Sequence, residues 1–172
     1  MSEKSSQSIL VDTSFLITLY DDSKTRKNHS VARKYFKYFL NKSIKIYLSV
    51  IVIAEFQQIQ PITDIVASGN YITLPYNFED AVATADVAYN LGAASRKDTS
   101  RRAQLKDDLK LMGQAVFKKL DFIITEDERT LARYCRKLAG AKMFSPKVIV
   151  VSEGFDSGIF SSGQASLLDE KN

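Results

Sequence analysis

A chain of 172 residues with 45% hydrophobic and 26% charged side chains has the size and composition of one globular domain with its own core. No apolar run approaches the roughly 20 residues a bilayer-spanning helix needs, and the polar start "MSEKSSQS" lacks the apolar centre of a signal peptide, so the expectation is a cytoplasmic protein with no membrane partner. Lysine and arginine exceed aspartate and glutamate by 24 to 20, which favours phosphate-bearing partners, while the single Cys135 and the single His29 exclude a disulfide, a cysteine zinc site and a histidine-rich metal centre.

Residues 1–7 read as a flexible start. In "ILVDTSFLI" the short apolar run 9–11 is too brief for a helix and predicts a buried strand ending at Asp12. Ligands of open α/β sheets gather outside the carboxyl ends of strands, so Asp12 is a site candidate. The plainer reading is that it caps the helix that follows, "SFLITLYDD". Next, "SVARKYFKYFLNK" sets Val31, Tyr35, Phe36, Phe39 and Leu40 at helical spacing with lysines opposite. Those aromatics predict core packing rather than a base-stacking strip, and His29 a solvated helix start.

"SIKIYLS" predicts a second strand over 43–49, and Ser49 then caps a helix that carries Glu55 and runs to Pro61. "NYITLPY" predicts a third strand closed by Pro75. A helix begins at Asn77, presents Ala81, Ala85 and Ala88 as a small-residue face, and stops at Gly92. The polar "AASRKDTSRRAQLK" reads as a loop before "DDLKLMGQAVFKKL", where Leu111, Met112, Ala115 and Val116 form a helical stripe. "DFIITEDE" gives a strand over 122–125 ending in acids, "ERTLARYCRKL" a helix in which Cys135 packs, and "KVIVVS" the last strand, 147–152. The Gly- and Ser-rich residues 153–172 read as a flexible tail. Strands separated by helices predict a parallel sheet covered on both faces.

Four acidic positions fall where such a sheet gathers them: Asp12, Glu55, the doublet Asp107 and Asp108, and Asp127. Clustered carboxylates repel unless a cation holds them, and an all-oxygen ligand set suits Mg²⁺ or Mn²⁺. Asp108 shares a helical face with Leu111, Met112 and Ala115, whereas Asp107 is turned about 100° away, so Asp108 is the preferred member. The plainer reading is four independent caps and surface charges. Arg96, Lys97, Arg101, Arg102 and Lys106 form a basic cluster before the doublet, either a clamp for a phosphate backbone or a solvated loop.

Taken in order, "ILVDTSFLI", "SVIVIAEF", "KDDLKLMGQAV" and "IITEDE" resemble the PIN domain over about residues 8–152, a family that includes toxin ribonucleases of type II toxin–antitoxin pairs. The resemblance implies a three-layer α/β sandwich with a central, mainly parallel sheet. It also implies a Mg²⁺- or Mn²⁺-dependent ribonuclease whose site is formed by Asp12, Glu55, an aspartate at 107 or 108, and Asp127, with Thr13 or Thr125 positioning water or metal. RNA, an antitoxin protein and a second copy of the chain are the implied partners. The long basic approach to the third acid and the C-terminal extension depart from compact toxin members. The main rival is a catalytically inactive PIN-like binding module. A phosphatase or receiver with Asp12 as nucleophile is disfavoured because no acid stands two residues from Asp12, and "GQAVFKK" lacks the spacing of a phosphate-binding loop.

Overall fold

The computed structural model describes residues 6–20, 27–92 and 102–161, the side chains of 102–104 excepted. Five short strands form the centre: β1 (Ser8–Val11), β2 (Lys45–Ser49), β3 (Ile72–Leu74), β4 (Phe122–Thr125) and β5 (Lys147–Val150). Every pairing is parallel and the order is β3-β2-β1-β4-β5. The central β1 sets Val11 beside Leu48 on one side and Ile124 on the other. All four residues of β1 and of β4 are buried although successive side chains point to opposite faces, so both faces are covered. Their β-branched and apolar composition follows from that.

The connecting helices are α1 (Thr13–Leu19), α2 (His29–Asn41), α3 (Val50–Phe56), α4 (Thr63–Ala67), α5 (Phe78–Leu91), α6 (Arg102–Phe117) and α7 (Leu131–Gly140). Two helix starts carry the expected chemistry. The Ser49 hydroxyl accepts from the Ile51 amide at 3.2 Å, and Asn77 forms a reciprocal capping box with Asp80. Three expectations are corrected. The helix after β2 stops at Phe56 instead of running to Pro61, and a separate short α4 follows. Helix α6 starts at Arg102, so Lys106 and the Asp107–Asp108 doublet sit within it rather than at its start. His29 does begin α2, but its Nδ1 donates to the Thr18 carbonyl at 2.9 Å and its Nε2 is buried, so it is packed rather than solvated.

Helices α5 and α6 run antiparallel, with Thr84 opposite Gly113 and Asp80 opposite Lys118. A buried relay then locks α6 to the sheet. Gln114 accepts from the Ser49 hydroxyl at 2.6 Å and donates to the Pro75 carbonyl at 2.9 Å, joining the ends of β2 and β3 to one helix. Both side chains are fully buried, so the bond between them is made away from competing water.

Packing continues past the boundary expected after residue 152. Short 3₁₀ turns at Val151–Glu153 and Ser157–Phe160 carry the chain back under α2. The Phe160 ring lies 5.0 Å from Tyr38 and 4.9 Å from Phe122, and Phe155 lies 4.9 Å from Tyr35. Tyr35 also donates to the Gly154 carbonyl at 2.9 Å and accepts from the Asp156 amide at 3.1 Å. The tail expectation is thereby corrected for residues 153–161; residues 1–5 and 162–172 lie outside the described residues.

Two stability outcomes follow. A methyl group on Gly113 would stand 2.7 Å from the Thr84 backbone, which cannot swing aside as a side-chain tip can. Gly113→Ala should therefore cost about 1–3 kcal/mol through overpacking, read as a lowered denaturation midpoint at constant slope. Phe160→Ala should cost about 3–5 kcal/mol by emptying an aromatic site, whereas a freely moving tail would give no change.

Candidate active site

Parallel pairing delivers the carboxyl ends of all five strands to one edge, and the order of the sheet makes the β1–β4 boundary its switch point. Asp12 leaves β1 there and Asp127 follows β4. Glu55 comes from α3, and Asp107 and Asp108 from α6. All five line one cleft of about 520 Å³, with Thr13, Ser14 and the apolar Ile17 and Ile59 on its walls. The structure thus brings every sequence-predicted acid to one place.

Asp12 is only 7% exposed, and its side chain makes no capping bond to α1, so capping does not explain it. Its Oδ2 accepts from the Ser14 hydroxyl at 2.6 Å and from the Thr125 hydroxyl at 2.7 Å. Each hydroxyl is itself pinned by a backbone amide of the β4–α7 loop. Glu126 N–H donates to Ser14 Oγ at 2.9 Å, and Asp127 N–H donates to Thr125 Oγ1 at 2.8 Å. Two parallel relays, amide to hydroxyl to carboxylate, therefore converge on one oxygen. Burial still raises the carboxyl above its ordinary range, because neutral donors, including the Thr13 amide, only partly replace water around the charge.

Glu55 accepts from the Thr13 hydroxyl. Desolvation raises its carboxyl too, and the charges of Asp12 and Asp107 add to the effect. Asp127 is committed on both oxygens: Oδ1 takes the Arg129 and Thr130 amides at 2.8 and 3.0 Å, and Oδ2 takes the Thr130 hydroxyl. It shapes the turn that leads into α7 while presenting a carboxylate to the cleft.

Asp108 is the least satisfied of the group. It is 6% exposed and its Oδ2 is buried with no hydrogen-bond partner. Burial pushes its carboxyl up to about 7, the nearby Thr130 hydroxyl relieves it only in part, and the charges of Asp12, Asp127 and Glu55 raise it further. Asp107 departs from the sequence expectation, since it reaches the same cleft rather than turning away. It sits at the rim, ion-paired with Lys110 at 2.7 Å, because the cleft is wide enough to span the arc between neighbouring positions on α6.

An oxygen-only set of carboxylates with one buried, unpartnered oxygen fits a hard divalent cation, which would supply the charge that no side chain among the described residues supplies to Asp108. Among the described residues no three acidic, histidine or cysteine side chains form a closed ligand cage in this conformation. The relays and turns account for that, since Asp12, Glu55 and Asp127 are drawn to neighbouring hydroxyls and amides. Of the basic cluster, Arg96, Lys97 and Arg101 and the side chain of Arg102 lie outside the described residues. Lys106 is exposed on α6, two residues from Asp108.

Comparison with solved structures bears on the fold. The chain matches VapBC2 from Rickettsia felis, solved bound to a DNA fragment from its promoter, with TM-score 0.54 and 14% identity over 84% of this chain and 98% of that one. It matches DNA-bound VapBC from Salmonella typhimurium with TM-score 0.54 and 13% identity, over the same shares of both chains. The chain has a PIN-like fold. No protein-family model matches the sequence, and comparison with curated proteins finds no match either. At such identities the likeness speaks for the fold, and the site must be argued from its own geometry.

Within the PIN-like fold, sequence reasoning passed over Ser14, Thr130 and Glu126. The first two had a local signal. A hydroxyl two residues after Asp12 and another three after Asp127 stand at the spacing of side-chain turns and caps.

The unpartnered carboxyl generates a pH outcome. With its folded value near 7 against an ordinary 3.8, Asp108 holds its proton more tightly in the folded state than in the unfolded one. Its contribution is harmless below the unfolded value and becomes a penalty as pH rises toward 7. In EDTA, Asp108→Asn should melt close to wild type at about pH 4 and clearly above it at about pH 8, with the gap opening between the two. A constant gap would show that the carboxyl titrates normally.

Proposed function

We propose that the chain is a Mg²⁺- or Mn²⁺-dependent ribonuclease that hydrolyses RNA phosphodiester bonds. The observation that carries this reading is the convergence of carboxylates from β1, α3, α6 and β4 on one cleft, with a buried carboxylate oxygen left without a partner. On this reading Asp12, Glu55, Asp108 and Asp127 hold the cation, and Thr13, Thr125 and Asp107 orient these ligands. A divalent ion in such a site supplies a water of lowered pKa and offsets charge on the phosphate. The two relays engage Asp12 Oδ2 and hold the carboxylate in one rotamer, while Asp108 has an oxygen ready to be engaged. No histidine is needed for this chemistry, in keeping with a composition that offers only His29.

Arg96, Lys97, Arg101, Arg102 and Lys106 supply the backbone clamp for RNA. Binding through them is salt-dependent and largely blind to sequence. The likeness of fold to the VapBC structures supports an antitoxin protein as partner. One observation favours the rival reading of an inactive binding module: Asp127 has both oxygens engaged by the turn that it closes.

Incubation of the protein with mixed RNA in Mg²⁺, Mn²⁺ or EDTA separates the two. The nuclease cleaves with either metal and stops in EDTA. Asp12→Asn keeps the fold and loses cleavage by at least about a hundredfold, since a charged ligand is replaced by a neutral one of the same shape. RNA retained but intact in every buffer would favour the binding module, and unchanged cleavage by the variant would remove Asp12 from the site.

A further inference from the structure

Glu126 stands between Thr125 and Asp127, yet its carboxylate turns to the helices instead of the cleft. It accepts from the Thr18 hydroxyl on α1, and from Asn28 Nδ2 at the start of α2 at 3.1 Å. Thr18 is fully buried, and its hydroxyl lies 2.9 Å from the Ser14 carbonyl one turn earlier. His29, next to Asn28, donates from Nδ1 to the Thr18 carbonyl at 2.9 Å. Asn28 adopts a left-handed backbone with φ of 74°, which orients α2 as it leaves that point. The backbone of Glu126 meanwhile donates to Ser14 Oγ, the first link of the relay to Asp12.

We infer that Glu126 is a positioning residue, a strut that fixes the β4–α7 loop against α1 and α2 so that the amides of residues 126 and 127 aim at the hydroxyls holding Asp12. The inference rests on the proposed metal site. The geometry assigns the side chain a task distinct from its neighbours': Thr125 and Asp127 face Asp12 and the cleft, and Glu126 holds the loop from behind. Without the strut the loop loses its anchors to Thr18 and Asn28. The amide of residue 126 then drifts from Ser14, and the Asp12 carboxylate gains rotamers that a cation must freeze out on binding. Partners that orient metal ligands from outside the ligand set commonly contribute about 10- to 100-fold to metal affinity.

The test is Mn²⁺ affinity by titration calorimetry on the full chain, beside the melting temperature in EDTA. Glu126→Ala should weaken Mn²⁺ binding about tenfold or more while melting close to wild type, and Glu126→Gln, which retains one acceptor oxygen, should recover most of the affinity. Thr18→Val should weaken binding in the same direction. The double variant Thr18→Val with Glu126→Ala should be no worse than Glu126→Ala alone, because both remove one strut. Wild-type affinity in Glu126→Ala would overturn the inference while leaving the metal site standing. Affinity and melting temperature falling together, with no rescue by Gln, would overturn it in favour of a merely structural role. Failure of the metal site itself would show differently, as wild-type protein that binds no Mn²⁺, and would take the inference with it.

Discussion

One carboxylate oxygen organises this molecule. Asp12 Oδ2 is withdrawn from water at the end of the central strand, where an unpartnered charge would be costly, and two hydroxyls donate to it in place of water. Each hydroxyl can serve only because a backbone amide occupies its oxygen and directs its proton. Those amides belong to consecutive residues, so the loop after β4 must leave the sheet in one conformation. The sheet ladder stops at Val11 and Ile124, and this arrangement carries the order of the ladder one step further into the cleft.

Carboxylates gathered in this way work against the fold that holds them. Burial and mutual repulsion both raise Asp12, Glu55 and Asp108, and only a cation would relieve all three together. Other parts of the protein hold the frame against that repulsion. The Gly113–Thr84 contact sets α6 tightly against α5, and Gln114 ties the same helix to the ends of β2 and β3. Asp108 is therefore carried by one of the most firmly anchored helices, as a strained functional group requires.

The parts legible in the sequence were those encoded over a few neighbouring residues. Short apolar runs marked the strands, Ser49 and Asn77 marked two helix starts, and acids placed just after strands pointed to one edge of a parallel sheet. What escaped was either weakly patterned or distant. The start of α6 offers only Ala103 and Leu105 among polar residues, so it showed no apolar face; α4 is a five-residue turn with no capping signal. Phe155 and Phe160 follow no period, and their partners Tyr35 and Tyr38 lie more than a hundred positions away on α2. The relays are invisible for the same reason: the Ser14 link needs the register of β1 against β4 before it exists.

That register has a consequence for the order in which the molecule assembles. Residues Thr125 and Asp12 are separated by 113 positions in the chain, yet they share one hydrogen bond. The half of the sheet made of β1, β2 and β3 is complete within the first 74 residues and can pair while the remainder is still being synthesised. The other edge of β1 stays open until β4 is available, which places the slow, high-separation step late. A nascent chain therefore carries Asp12 without either of the hydroxyl relays that shape it, and α6 arrives only shortly before β4 does. The cleft cannot take form ahead of nearly the whole domain, so a ribosome-bound fragment of this protein lacks the gathered carboxylates, however well its first three strands have folded.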